Sequence, residues 1–259
     1  MKRKRLLGYL AIIFTLGIVL TGCSNKASGD TDKTIKIVTT GVSFPGSYKE
    51  NNQLKGFDVE VAKAAAKKIG YKVQFTTTSF DGLFGQLQSG KVDAIASNVT
   101  VTPEREKQFY FSKPYGYFSS AVAVNKSADI NDIKDLKGKT IAATVGSIQV
   151  QQMKDLGIDV KAKTYDDREG AMNAVINKQT DGYSNAKPIL AAVIKQKNLP
   201  LKIVKGEFSP STIAITFNKD SNGKELQKKF NKAIDELQAD GTISKLSKEY
   251  FAGIDVSSK

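Results

Sequence analysis

The chain has 259 residues, with 39 Lys and Arg against 26 Asp and Glu, a formal charge of +13, one cysteine and no histidine. That inventory excludes imidazole-based acid–base chemistry and a disulfide framework, while the length suffices for a sizeable core. The lysines fall singly on predicted helix faces (Lys63, Lys67, Lys68; Lys224, Lys228, Lys229, Lys232) without an interleaved aromatic stripe. This pattern describes a solvated basic surface and argues against a nucleic-acid partner.

The chain opens with the positive segment MKRKR and the apolar run Leu6 to Leu20. About fifteen such residues are short for a membrane span and suit an export signal. The junction Leu20-Thr21-Gly22-Cys23 resembles the lipobox of bacterial lipoproteins. The resemblance implies that residues 1–22 are a signal peptide and that Cys23 is acylated. Each buried acyl methylene contributes on the order of 0.8 kcal/mol, so lipid on Cys23 would hold the protein at the membrane. Residues 23–33 then read as a lipidated flexible tether, polar and without an apolar anchor, on the outer face of the cell, expected to be a Gram-positive surface.

From residue 34 onward short β-rich runs alternate with amphipathic helices. Ile35 to Thr39 is a predicted strand; Asp58 is read as the cap of a helix with apolar positions Val61, Ala62, Ala65, Ala66 and Ile69, stopped by Gly70. Lys72 to Thr77 is a strand, Gly82 to Gln88 a short helix and Val92 to Ala96 a strand. Thr102 and Pro103 fit the N-cap and first position of another helix that carries Arg105. The unit Phe80 to Asn98 is echoed by Tyr165 to Asn185, each with a strand led by an aspartate (Asp93, Asp181) and leaving in Ser-Asn. Two related α/β lobes are therefore expected, each turning strand ends toward a common crevice. Ser119 to Asn125 and Ser211 to Phe217 are β-patterned and are read as the two hinge crossings. The expected division is 34–121 for the first part of lobe 1, 122–213 for lobe 2 inserted in it, and 214–259 for the return to lobe 1.

In order, "GFDVEVAKAAAKKIG", "LFGQLQSGKVDAIASNVTVTPEREKQFYFSKPY", "IKDLKGKTIAATVGS" and "ADGTISKLSKEYF" resemble the extracytoplasmic solute-binding proteins of polar amino-acid ABC importers. "QFYFSKPY", "DDREGAMNAV" and "IKQKNLPLKIV" are similar to the cystine-binding branch. The resemblance implies the two-lobed type II periplasmic-binding-protein fold and an amino-acid ligand, with L-cystine or another polar or sulfur amino acid as the expected one. It further implies delivery to an ABC permease with its ATPase, by a monomer that is no enzyme and needs no cofactor or metal.

Within that resemblance Arg105 matches the arginine that pairs with the ligand α-carboxylate, a task suited to a planar, permanently charged fork. Asn98 and Thr100 match loop positions that offer polar groups, and Phe80 and Phe44 match aromatic walls; Phe44 directly precedes Pro45, where many relatives place the aromatic one residue earlier. Gly146 and Ser147 sit where a loop opens a helix, so their backbone N–H groups are expected to help grip the carboxylate. Where relatives carry an aspartate for the ligand ammonium this chain has Ala186. A buried ammonium needs an acceptor, which leaves Asn185, Asp81, Asp166, Asp167 and Glu207 as candidates, or a ligand with a different head group. Two other function classes remain open on this fold, a dehydratase-like enzyme and a sensory or adhesive protein. Against the enzyme stand the missing histidine and the lack of a Ser/His/Asp set, a metal-ligand cluster or a phosphate loop.

Overall fold

The computed structural model describes residues 33–259; the expected signal peptide, Cys23 and all of the expected tether except Lys33 lie outside the described residues. In chain order the first lobe opens with β1 (Lys33–Thr39), β2 (Val42–Ser43), β3 (Ser47–Glu50), β4 (Gln53–Lys55), α1 (Phe57–Lys68) and β5 (Tyr71–Thr77). It continues through α2 (Gly82–Gln88), β6 (Ala94–Ile95), α3 (Pro103–Gln108) and β7 (Phe109–Phe111). The second lobe holds β8 (Gly116–Asn125), a 3-10 turn at Ile133–Leu136, β9 (Thr140–Thr144), α4 (Gln149–Asp155), β10 (Lys161–Tyr165) and α5 (Arg168–Ile176). After β11 (Gly182–Ala186), α6 (Lys187–Gln196), β12 (Leu201–Ile203) and β13 (Phe208–Ile213), the chain returns to the first lobe as β14 (Thr216–Asn218), α7 (Ser221–Ala239) and α8 (Thr242–Tyr250).

The two main sheets repeat one plan. The first has the order β5-β1-β6-β14-β7, the second β10-β9-β11-β8-β12, with β13 also on β8. In each, three parallel strands run in the order second-first-third, and an antiparallel strand closes beside the third: β14 on β6, β8 on β11. The echo in the sequence is structural as well. Asp93 accepts a hydrogen bond from the Lys36 N–H at 2.8 Å, and Asp181 accepts one from Thr140 at 2.7 Å, so each aspartate ties the third strand to the first at its entry. This is the two-lobed type II periplasmic-binding-protein fold.

Local rules account for the helices. Val61, Ala62, Ala65 and Ala66 of α1 are fully buried on one face, as a 3.6-residue period requires, and α1 packs on α7 and α8. Ala121 to Val124 in β8 are all buried without alternation, the mark of a strand covered on both faces. The expected crossing Ser119–Asn125 lies wholly within that strand. The chain instead passes between the sheets at 112–115 and again at 214–215, side by side: Tyr115 N–H donates to the Ile213 carbonyl at 3.1 Å, and Ser112 N–H to that of Ile215 at 2.8 Å.

Asp58 does not cap α1. The capping position is Gly56, at φ 129°, where a Cβ would lie 2.2 Å from the Gly46 carbonyl oxygen, so only glycine fits. Asp58 stands one residue inside the helix and is 2% exposed.

Candidate functional site

Parallel strands end in loops whose backbone groups are free of the ladder, and in both sheets those ends face one crevice. The first sheet sends Ser43 and Gly46 from beyond β1, Phe80 from beyond β5, and Ser97, Asn98, Thr100 and Arg105 from beyond β6. The second sends Thr144, Ser147 and Ile148 from β9 and the turn beyond it, Gln149 from the start of α4, Arg168 from beyond β10, and Asn185 from the end of β11. Together with Asp58 these residues surround about 570 Å³ of space between the lobes, part of it continuous with solvent.

Arg105 is held from several sides. Thr102 Oγ1 accepts the Arg105 N–H at 3.2 Å and Pro103 occupies the first helical position, which seats the residue in the first turn of α3. Its guanidinium donates to the Thr100 carbonyl at 2.9 Å and to the Gly146 carbonyl, on the other lobe, at 3.0 Å. The Phe84 ring lies 5.0 Å below it and Phe80 at 6.0 Å. Burial lowers its pKa to about 10, still far above neutrality. It forms no ion pair with Glu104, Glu106 or any other carboxylate among the described residues, so a permanent cation faces the cleft with donors to spare. Replacing Thr102 by alanine removes the cap and is expected to lower stability by about 1 kcal/mol, measurable by urea unfolding.

Four buried polar atoms of cleft residues have no hydrogen-bond partner: Asn98 Oδ1, Ser147 Oγ, Gln149 Oε1 and Arg168 Nε. Buried polar groups are nearly always paired within a protein, so such a cluster in one crevice marks a surface shaped for a polar guest. Asn98 sits at φ 52°, a left-handed turn that asparagine tolerates better than most residues.

At the floor, Asp58 Oδ1 accepts from the Tyr115 hydroxyl at 2.6 Å. Burial pushes Asp58 up to about 6, against the downward pull of Tyr115, the Asn98 backbone N–H and the Arg168 charge. Burial and the facing Asp58 carboxylate push Tyr115 well above its ordinary range.

Of the residues expected at a ligand site, Asn98, Thr100, Arg105, Phe80, Ser147 and Asn185 line this cleft, whereas Phe44 and Gly146 do not. The Phe44 ring packs edge-on against Tyr48 at 5.0 Å, and its carbonyl accepts from Arg168. Gly146 contributes its carbonyl to Arg105. Ser147 N–H closes a turn on Thr144 O at 3.0 Å, so its hydroxyl, and not its amide, is left for the cleft.

The proposed ammonium acceptors are also engaged or elsewhere. Asn185 donates to the Tyr183 hydroxyl and accepts from Ala186 N–H at 2.7 Å. Asp167 caps α5 through Gly170 N–H at 2.8 Å and, with Asp166, borders an adjoining pocket; Glu207 is tied to Lys187 and Ser119. Asp81 is absent from the lining. Sequence reasoning missed Asp58, Arg168 and Gln149. For Arg168 a signal existed: beyond residue 5 the chain has only two arginines, Arg105 and Arg168, and both reach the cleft.

Comparison with known proteins agrees with this build. "Probable amino-acid-binding protein YxeM" of Bacillus subtilis (strain 168) is 42% identical over 245 residues, 93% of each chain. "Arginine-binding extracellular protein ArtP" of the same organism is 36% identical over 256 residues, covering 97% of this chain and 99% of its own. Among solved structures, "An ancestral arginine-binding protein bound to glutamine" superposes with a TM-score of 0.77 at 37% identity, covering 84% of this chain and 97% of its own. The family described as bacterial extracellular solute-binding proteins, family 3, matches residues 35–253, and the chain belongs to it.

Proposed function

We propose that the protein is the substrate-binding subunit of an ABC importer and captures an amino acid by its carboxylate in the cleft between the lobes. One observation carries the reading: the unpaired Arg105 guanidinium faces the cleft, joined by buried polar atoms without partners on both walls. The two bonds that Arg105 and Arg168 make across the crevice, to Gly146 and Phe44, belong to a closed arrangement. A ligand touching both lobes at once would favour that arrangement over an open one, which is how binding is coupled to hinge motion. The relatives' names speak for the binding of an amino acid. L-cystine is the specific ligand that the sequence suggests. Lipid on Cys23 would keep the subunit, as a monomer, beside its permease and ATPase on the outer face of the cell.

The test is a thermal-shift panel of the twenty amino acids, cystine and related solutes on the purified protein. At 1 mM a ligand of micromolar affinity contributes about 4 kcal/mol, so its transition should rise by roughly 10 °C. If no member of the panel raises it, the amino-acid reading is wrong.

A further inference from the structure

The surface cations of this protein are lysines. Beyond residue 5 the sequence spends arginine twice, at 105 and 168, and both guanidiniums line the same cleft from opposite lobes. Arginine differs from lysine in binding a carboxylate through a planar fork, so its confinement to the cleft points to acid groups as the guests. Among the described residues neither guanidinium makes an ion pair within 4 Å, Asp58 being near enough only for the Arg168 charge to act on it, and Arg168 keeps a buried, unpartnered Nε.

On the negative side the lining has one acid, Asp58, whose carboxylate is already engaged by Tyr115 and the Asn98 N–H. At the end of β11, Ala186 offers no charge and the Asn185 side chain is bonded at both ends. Two cations against one engaged anion leave the cleft net positive. A simple zwitterion would satisfy one arginine and bring an ammonium with no acid to meet it.

Resting on the reading of the cleft as an amino-acid site, we propose that it selects small dicarboxylic solutes of the amino-acid type. Arg105 takes one carboxylate and Arg168 the other, and the nitrogen need carry no charge. Asp166 and Asp167, which border the adjoining pocket beside Phe80, are the acids a cationic side chain would seek, and the choice of probes includes that case.

Titration calorimetry with glutamate, N-acetylglutamate, glutarate, glutamine and arginine tests this. Glutamate and N-acetylglutamate should each bind at least tenfold more tightly than glutamine or arginine, and acylation of the nitrogen should cost less than threefold. In Arg168→Gln the preference for glutamate over glutamine should fall by at least tenfold, and in Arg168→Lys, which keeps the charge but loses the fork, only part of it should persist. Because the readout is a ratio of two ligands on one protein, a general loss of folded material moves both alike. Glutamine or arginine binding as tightly as glutamate, or a ratio unchanged in Arg168→Gln, overturns the proposal while leaving an amino-acid site intact. Failure of all five probes, of every common amino acid and of cystine overturns both readings.

Discussion

Arg105→Ala should weaken ligand binding about a hundredfold or more while leaving the ligand-free protein folded. The guanidinium spends two of its five N–H donors on the Thr100 and Gly146 carbonyls, and the rest remain for a guest. Truncating one partner of a desolvated, hydrogen-bonded charge pair costs about 2–5 kcal/mol, because the other charge is left buried and alone. The bond to Gly146 is lost as well, so the closed arrangement is weakened even before the ligand arrives. Arg105→Lys keeps the charge but loses the fork and the flat face against Phe84 at 5.0 Å, and should recover only part of the affinity. Calorimetry with whichever ligand the thermal panel identifies measures both variants. A loss below tenfold in Arg105→Ala would remove the carboxylate assignment.

Arg105 could be found in the sequence because its setting is local: Thr102, Pro103 and the arginine itself lie in one turn, and the cap and helix start follow from residue types alone. The same holds for the buried stripe of α1 and for α2, which has the expected bounds. Asp93 and Asp181 showed the repeat by their place in the pattern, each leading its strand, although the first-strand amides they accept from lie 57 and 41 residues away and could not be read from the sequence.

What escaped depends on partners far along the chain. Asp58 has the spacing of a helix cap, and only Tyr115, 57 residues on, reveals it as a buried acid. Gly146 reads as an amide donor at a helix start, whereas the opposite lobe uses its carbonyl. Ser119 to Asn125 has an extended pattern, which says that it is a strand but not that both its faces are covered. The crossing falls at 112–115, where paired loops carry no periodicity to read.

The titration of Asp58 gives the second large expectation. Its carboxyl is raised from 3.8 to about 6, chiefly by burial, with Tyr115, the Asn98 N–H and Arg168 pulling the other way. The folded protein therefore holds a proton that the unfolded chain has released between those two values. Stability from this group is fully present below about pH 4 and is lost as pH rises through about 6. The difference of roughly two pKa units corresponds to about 3 kcal/mol, a sizeable part of the 5–15 kcal/mol typical of a folded domain. Asp58→Asn does not titrate, so wild-type stability measured against it by urea unfolding should fall by about that amount from pH 3.5 to 6.5 and then level off. Every other group is common to both proteins and cancels in the difference. A flat difference across that window would mean that the folded carboxyl ionises near its ordinary value, held charged by Arg168 and its hydrogen bonds in spite of burial.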